Sequence, residues 1–129
     1  MTRRILVIED QPDNRRIMRD LLTSVGYEMI EAADGEAGVR LAREQRPELI
    51  LMDIQLPGLD GYEATRRIKA EPELQAIPII VVTSYALSGD DAKAKAAGAD
   101  DYVAKPFSPR QLLAVIRKHL NDAGGSGAR

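Results

Sequence analysis

The sequence predicts one α/β domain, built as a doubly wound parallel sheet of five strands with helices on both faces. Short apolar runs alternate with amphipathic segments at the spacing of repeated strand–helix units, and no internal repeat or low-complexity block interrupts them. With 129 residues, the chain can bury about two-thirds of the surface that its unfolded form exposes. Such strands, joined by helices, are expected to pair in parallel and to be covered on both faces.

The first unit consists of the run ILVIED and a helix from Asp13 to Val25, which Gly26 ends. Apolar side chains recur in this helix at helical spacing and are expected to form one buried face: Ile17, Met18, Leu21, Leu22 and Val25. The basic residues of the first and third helices are expected to lie on solvated faces: Arg15, Arg16, Arg66, Arg67 and Lys69.

The second unit is a strand from Tyr27 to Ala32, followed by a helix that begins after Asp34-Gly35 and reaches about Gln45, before a proline. Three further units begin with the runs LILMD, IPIIVVTS and DYVAKP. Their helices are expected at three places in the chain: Gly61 to Ala70, Gly89 to Ala97, and Ser108 to Leu120.

The last helix has the clearest signals. Ser108 can cap it, Pro109 fits its first turn, and apolar residues form a broad stripe along it: Leu112, Leu113, Val115, Ile116 and Leu120. The final segment, DAGGSGAR, has nothing to bury and is expected to be a flexible tail over residues 122–129. The folded domain is therefore expected over residues 3–121.

Composition excludes several classes of protein. The absence of cysteine excludes disulfides and thiolate metal sites. The first apolar run is too short for a signal peptide or a membrane-spanning helix, so a cytoplasmic protein without membrane contact is expected. A net charge of -2 gives no basic field to collect nucleic acid. Partners are expected to be proteins or small ions.

Reactive side chains stand where four of the apolar runs end. Glu9 and Asp10 end the first, Asp53 the third, Thr83 lies near the end of the fourth, and Lys105 near the end of the fifth. The carboxyl ends of parallel strands share one edge of the sheet, so these side chains are expected to converge. Three carboxylates in one place would raise each other's proton affinity unless a dication neutralised them. Mg²⁺, which prefers oxygen ligands, fits this set better than a softer metal.

Asp53 is the strongest candidate for a nucleophile, because it ends a buried strand and a carboxylate can attack phosphorus. Taken one by one, the residues also have ordinary interpretations: Asp53 as a turn residue, Lys105 as a solvated lysine, and Thr83 as a strand residue that packs its methyl group. Pro106 restrains the backbone at Lys105, with trans the expected isomer of the bond between them. The order acid pair, acid, hydroxyl and lysine at successive strand ends favours the functional interpretation.

Residues 3–121 resemble the receiver domain of two-component response regulators. The matching segments are Glu9-Asp10, LMDIQLPGLDG around Asp53, VVTSYA around Thr83, and YVAKPF with Lys105. The resemblance implies a flavodoxin-like sheet of strand order 2-1-3-4-5 with five helices. It also implies a stand-alone bacterial signalling protein that acts on a downstream protein target through a changed protein-binding surface.

The resemblance implies a role for each matching residue. Asp53 would accept a phosphoryl group from the histidine of a sensor kinase or a histidine phosphotransfer protein. The Mg²⁺ ligands would be Glu9, Asp10, Asp53 and the backbone carbonyl of Gln55. Thr83 and Lys105 would hold the phosphoryl oxygens, and Thr83 and Tyr102 would form a switch. The protein would not be an enzyme beyond phosphorylating itself from that donor and slowly dephosphorylating itself.

Two alternatives use a related fold. A flavodoxin-like small-ligand module would need a first loop that offers backbone N–H groups to phosphate, whereas this loop, EDQPDN, is acidic. A metal-dependent phosphohydrolase with an aspartyl nucleophile would need a cap or long loops to enclose its substrate, whereas the connections here are short. Neither alternative explains the whole set of strand-end residues as well as the receiver does.

Overall fold

A computed structural model of the chain describes residues 2–83 and 90–121. Within those ranges the strands are β1 (Arg4–Ile8), β2 (Glu28–Ala32), β3 (Leu49–Asp53), β4 (Ile79–Thr83) and β5 (Asp101–Ala104). The helices are α1 (Pro12–Ser24), α2 (Gly35–Gln45), α3 (Gly61–Lys69), α4 (Asp90–Ala96) and α5 (Pro109–Leu120). The expected tail, 122–129, and the expected first residue of the fourth helix, Gly89, lie outside the described residues.

The five strands described form one parallel sheet in the order β2-β1-β3-β4-β5, which confirms the expected fold. Strands β3 and β4 are buried along their whole length because helices cover both faces of the sheet. Strand β2 lies on one side of β1, whereas β3, the next strand in sequence, lies on the other side of β1. The carboxyl ends of β1 and β3 therefore lie side by side at the switch point of the sheet, where α/β proteins usually bind ligands.

Alternate residues of β1 divide the core into two layers. Ile5 and Val7 pack on one face with residues of α1 and α5, and Leu6 and Ile8 pack on the other with residues of α2 and α3. A smaller cluster joins Ala94 of α4 to β4. This alternation is the period of two expected for a strand that is buried on both faces. It fixes the strand ends, and hence the site, in a rigid frame.

Helix α1 buries a narrower face than its sequence predicts. Met18 and Leu22 are buried, but Ile17 is 60% exposed and Val25 is 37% exposed. The prediction of one broad buried face is therefore wrong for these two residues. The helix is rotated so that Arg15 and Arg19 face β2, where both contact the carboxylate of Glu31. That rotation turns Ile17 toward solvent, and Val25 follows the last helical turn.

The starts of α2, α3 and α5 lie close to their predicted positions, and each has a polar cap. The side chains of Asp34, Asp60 and Ser108 each accept a hydrogen bond from a backbone N–H of the helix that follows. Gly26 lies just beyond α1 with φ of 91°, a left-handed conformation that suits glycine.

The side chain of Lys69 is not solvated as the sequence suggests. Its Nζ donates hydrogen bonds to the carbonyls of Gln75 and Ile77 and to the Asp100 carboxylate, at 2.8–3.0 Å. These bonds join the end of α3 to the segments that enter β4 and β5. A charge-assisted network of this kind is typical of a structural lysine.

Gly61 allows close contact between α3 and the end of β3. A Cβ atom on Gly61 would lie 2.2 Å from the Asp53 carbonyl oxygen and 2.7 Å from the Ile54 Cα. We expect Gly61→Ala to lower the free energy of unfolding by about 2–3 kcal/mol, because backbone atoms would have to move. Gly26→Ala meets no atom within 4 Å and should cost only about 1 kcal/mol of left-handed strain. Urea unfolding measures both, and equal losses would contradict this account of α3 packing.

Candidate functional site

The acidic residues of the site lie at the carboxyl ends of two neighbouring strands. Glu9 and Asp10 follow β1 directly, and Asp53 is the last residue of β3. The Glu9 amide donates to the Ala32 carbonyl at 3.0 Å, so the β1–β2 pairing continues to Glu9 and holds it in register. One carboxylate oxygen from each of the three acids lies within 4.8 Å of the others. The predicted convergence of Glu9, Asp10 and Asp53 is thus what the structure describes.

Lys105 reaches the same place from the loop after β5. Its Nζ lies 3.0 Å from Glu9 Oε1 and 3.8 Å from Asp53 Oδ2. The lysine side chain is largely buried, and both carboxylates are nearly inaccessible to solvent. The Lys105–Pro106 peptide bond is cis instead of the trans isomer that the sequence favours. The two Nζ distances place the Lys105 ammonium group among the acids, with Glu9 as its nearer partner.

Thr83 and Tyr102 lie on the strands beside the acids. Thr83 is completely buried at the end of β4, and its carbonyl accepts a hydrogen bond of 2.8 Å from the Lys105 amide. Tyr102 is half-buried on β5 and packs against a cluster that includes Val81 and Ala94. The residues expected to form a switch therefore stand on adjacent strands, next to the loop that carries Lys105. Their switching role stays a prediction.

Glu9 and Asp53 have opposite pKa shifts. Burial, followed by the negative charge of Glu9, raises the pKa of Asp53 from 3.8 to about 6, although Lys105 and the Gln55 amide oppose the shift. Burial alone would also raise the pKa of Glu9, but the hydrogen bonds from Lys105 and from the Gln11 amide outweigh it and lower that pKa. The expectation of mutually raised proton affinity holds for Asp53 and is wrong for Glu9. The cause is the position of Lys105.

The donor set fits a hard divalent cation. The three carboxylates offer oxygen ligands close together, and cysteine is absent from the sequence. Asp53 is crowded by a like charge in a desolvated position, so a dication there would favour its ionised form. The backbone amide of Gln55 donates a hydrogen bond of 3.3 Å to Asp53 Oδ1, which places residue 55 beside the acids. The use of its carbonyl oxygen as a ligand stays a prediction.

Two groups at the site were missed by the sequence interpretation. The Gln11 amide donates to Glu9 Oε2 at 3.1 Å, and the Arg15 guanidinium donates through Nη1 to the Glu9 backbone carbonyl at 2.8 Å. The expectation that Arg15 lies on a solvated face is wrong, because its side chain is only 19% exposed. Side chains of a helix lean toward its N-terminus, so an arginine in the first turn can reach back to the preceding loop. The position of Arg15 in the first turn was therefore the sequence signal that could have revealed this contact.

His119 also has a partner, although it stands alone in the sequence. Its Nε2 lies 2.8 Å from Asp101 Oδ2, at the opposite end of β5 from Lys105. Burial alone would raise the pKa of Asp101, but the contact with His119 and the Tyr102 amide lower it. This pair links α5 to β5 away from the acidic cluster.

Comparisons with known proteins give one consistent family. The family model described as the response regulator receiver domain matches residues 5–117. The polar-differentiation response regulator DivK of Brucella abortus is 41% identical over 123 residues, which cover 95% of this chain and 100% of that protein.

Among the helices of the described ranges, none has the length and apolar character needed to span a bilayer.

Solved structures of the same kind superpose closely. The receiver domain of a sensor histidine kinase from Pseudomonas aeruginosa, determined with a magnesium ion coordinated in its active site cleft, is 41% identical with a TM-score of 0.88. It covers 94% of this chain and 99% of its own. The chemotaxis protein CheY4 of Vibrio cholerae has a TM-score of 0.86 at 26% identity, with 92% of this chain and 98% of its own covered.

The raised pKa of Asp53 predicts how the stability of the metal-free protein depends on pH. Between pH 3.8 and about 6, the folded protein holds a proton that the unfolded chain has released, so its free energy of unfolding falls as pH rises. The loss is complete above the folded pKa and reaches up to about 3 kcal/mol. Asp53→Asn removes the ionisable group, so we expect this variant to be the more stable protein near pH 7.5 and the difference to vanish near pH 4.

Urea unfolding in EDTA at several pH values measures this difference. The matched control is Asp20→Asn, because Asp20 is an exposed carboxylate on α1. The control should show no such gain at neutral pH. A wild-type protein as stable as Asp53→Asn near neutral pH would contradict the crowding of charge at Asp53.

Proposed function

The chain belongs to the response regulator receiver domain family and is a two-component signalling protein, and we propose that Asp53 is the residue that accepts the phosphoryl group. The observation that carries this proposal is the position of Asp53 at the switch point, between two other acids and the ammonium group of Lys105. We propose that Glu9, Asp10, Asp53 and the Gln55 carbonyl hold Mg²⁺, as the magnesium-bound relative suggests. The ion would neutralise charge on the phosphoryl oxygens.

The proposed reaction is an in-line transfer of one phosphoryl group. An Asp53 carboxylate oxygen attacks the phosphorus of a phosphohistidine, the P–N bond breaks, and the imidazole of the donor leaves with the bonding pair and takes a proton. Lys105, whose Nζ lies 3.8 Å from Asp53 Oδ2, would supply a positive charge at the equatorial oxygens. Attack of water on the acyl phosphate later releases inorganic phosphate. The protein is thus not a turnover enzyme for an outside substrate.

The signal would leave the site through Thr83. On phosphorylation the Thr83 hydroxyl would move toward a phosphoryl oxygen, and Tyr102 would turn into the space that it vacates. The adjacency of β4 and β5, and the bond between the Lys105 amide and the Thr83 carbonyl, support such coupling. The changed face would then bind a downstream protein target. Neither nucleic acid nor a membrane is needed for this output.

A phosphohistidine donor also needs a surface on which to dock. A cleft of 420 Å³ opens beside the acids and is lined mainly by apolar groups, among them Ile17, Met18, Pro106 and Phe107. Ile17 is one of two large apolar residues described as exposed. Apolar side chains beside a reactive carboxylate are suited to a protein that carries a histidine on an amphipathic helix. We propose that a sensor kinase or a histidine phosphotransfer protein binds here.

The domain limits and location complete the proposal. Arg3 donates to the Leu120 carbonyl at 3.2 Å, and Asn121 adopts a left-handed conformation that ends α5, which supports a domain over residues 3–121. We expect the protein to act in the bacterial cytoplasm. The family match favours this function over a flavodoxin-like ligand module and over a phosphohydrolase.

Transfer of a labelled phosphoryl group tests the acceptor. We expect a phosphorylated histidine kinase to label wild-type protein in the presence of Mg²⁺ and not in EDTA, and to leave Asp53→Asn unlabelled, because the amide is a poor nucleophile. Lys105→Ala should slow labelling by about 100-fold. Asp20→Asn, with an exposed acid removed, should be labelled like the wild type. Labelling of Asp53→Asn at the wild-type rate would show that another residue accepts the group.

Ile17→Ala tests the docking surface separately from the chemistry. We expect transfer from a protein donor to slow by about tenfold, because the substitution removes an apolar contact worth about 1–2 kcal/mol. Labelling by a small donor such as phosphoramidate should not change, since no protein surface is involved. Val25→Ala is the matched control, because Val25 is an exposed apolar residue at the other end of α1. An equal effect of Ile17→Ala on both donors would contradict docking at this cleft.

A further inference from the structure

We propose that Arg15 is a positioning residue for the metal ligand Asp10, and that it acts through the backbone carbonyl of Glu9. This inference rests on the proposed function, because it assumes that the acids of the site hold Mg²⁺. It assigns a task to a side chain that touches neither the phosphoryl group nor the ion. The task is to fix the peptide plane between the first two acids.

Asp10 has the weakest support among the three acids. Glu9 and Asp53 are both buried: Glu9 accepts hydrogen bonds of 3.0 Å from Lys105 and 3.1 Å from the Gln11 backbone amide, and Asp53 accepts one of 3.3 Å from the Gln55 backbone amide. Asp10 is only partly buried, and the hydrogen bond described for its carboxylate comes from the Gln11 side chain over a long 3.4 Å. Its side chain is therefore oriented mainly by its own backbone.

Arg15 holds that backbone at one defined atom. Nη1 donates to the Glu9 carbonyl at 2.8 Å, and this carbonyl shares a planar peptide group with the Asp10 amide. A charged donor makes a stronger bond than a neutral one, so the orientation of the peptide is well determined. Without this bond the plane would be less restrained, and with it the two backbone angles that adjoin it, ψ of Glu9 and φ of Asp10, which direct the first two acids.

The guanidinium is itself held from a second strand. Its Nε lies 3.3 Å from Glu31 Oε1 on β2, and the other oxygen of that carboxylate accepts a hydrogen bond of 2.8 Å from Arg19 Nε. Glu31 thus fixes the plane of the fork and neutralises its charge near a site for cations. The planar guanidinium presents Nε and Nη1 to these two groups in a fixed relative geometry, which a lysine ammonium group would not reproduce.

Arg19 provides a matched control. It lies one turn further along α1 and binds the same carboxylate, but the contacts described for it do not include the Glu9 carbonyl. Arg15→Gln and Arg19→Gln each remove one positive charge and one partner of Glu31. The two variants differ in the bond to the Glu9 carbonyl, so their comparison isolates positioning from charge and from general stability.

Calorimetric titration with Mg²⁺ is the first experiment. We expect Arg15→Gln to weaken Mg²⁺ binding by about tenfold, a usual loss when a residue that orients a metal ligand is removed, and Arg19→Gln to stay within about twofold of wild type. The sign is informative, because removal of a positive charge near a cation site would by itself tighten binding. Unchanged or tighter binding by Arg15→Gln, or an equal loss in both variants, would overturn the proposal.

Amide hydrogen exchange in the metal-free protein is the second experiment. The backbone N–H of Gln11 donates a hydrogen bond to Glu9 Oε2, so its exchange rate reports the order of the loop without any ion. We expect faster exchange at Gln11 in Arg15→Gln than in Arg19→Gln, by about threefold or more. Equal exchange would overturn the positioning role. Absence of Mg²⁺ binding by the wild type would instead contradict the proposed function, while this exchange result still decides whether Arg15 orders the loop.

Discussion

Three carboxylates meet at one edge of a parallel sheet, and the rest of the site depends on how their mutual repulsion is reduced. Glu9, Asp10 and Asp53 are brought together by the register of β1 and β3, which the buried layers of the core make rigid. In the protein alone, Lys105 supplies the nearest positive charge. One ammonium group cannot neutralise three acids, so the site keeps an excess of negative charge in a desolvated place. A divalent cation is the species that such a place binds best.

The unequal treatment of Glu9 and Asp53 follows from the same geometry. Both are buried, but Lys105 Nζ lies 3.0 Å from Glu9 Oε1 and 3.8 Å from Asp53 Oδ2. Glu9 therefore stays ionised as a fixed charge, whereas Asp53 retains its proton to a higher pH. This difference suits the proposed function. Asp53 has the raised pKa, and it is also the residue whose charge the cation and the phosphoryl group would change. On the same proposal, Glu9 would remain a metal ligand throughout the transfer.

Much of this arrangement could be predicted from sequence, because local signals and periodicity determine it. The buried runs that end at Asp53 and Thr83 indicated strands, Asp34-Gly35 and the cap at Ser108 indicated helix starts, and parallel topology then put the strand ends at one edge. The partners of long polar side chains could not be predicted in this way. Arg15 and Lys69 were expected to lie on solvated helix faces, but each reaches a group that is distant in sequence or in another element. Periodicity describes a face of a helix and not the rotation at which that face packs.

Rotation of α1 shows why such details matter for function. The pairing of Arg15 and Arg19 with Glu31 turns one side of the helix toward β2, and the same rotation exposes Ile17 on the opposite side, beside the cleft near Lys105. The way in which α1 packs thus determines two positions at once: that of Arg15, which orders the acidic loop, and that of Ile17, which a donor could contact. A sequence that lost Glu31 would keep its strands, its acids and its lysine. It would lose the ion pairs that hold Arg15 and Arg19 against β2.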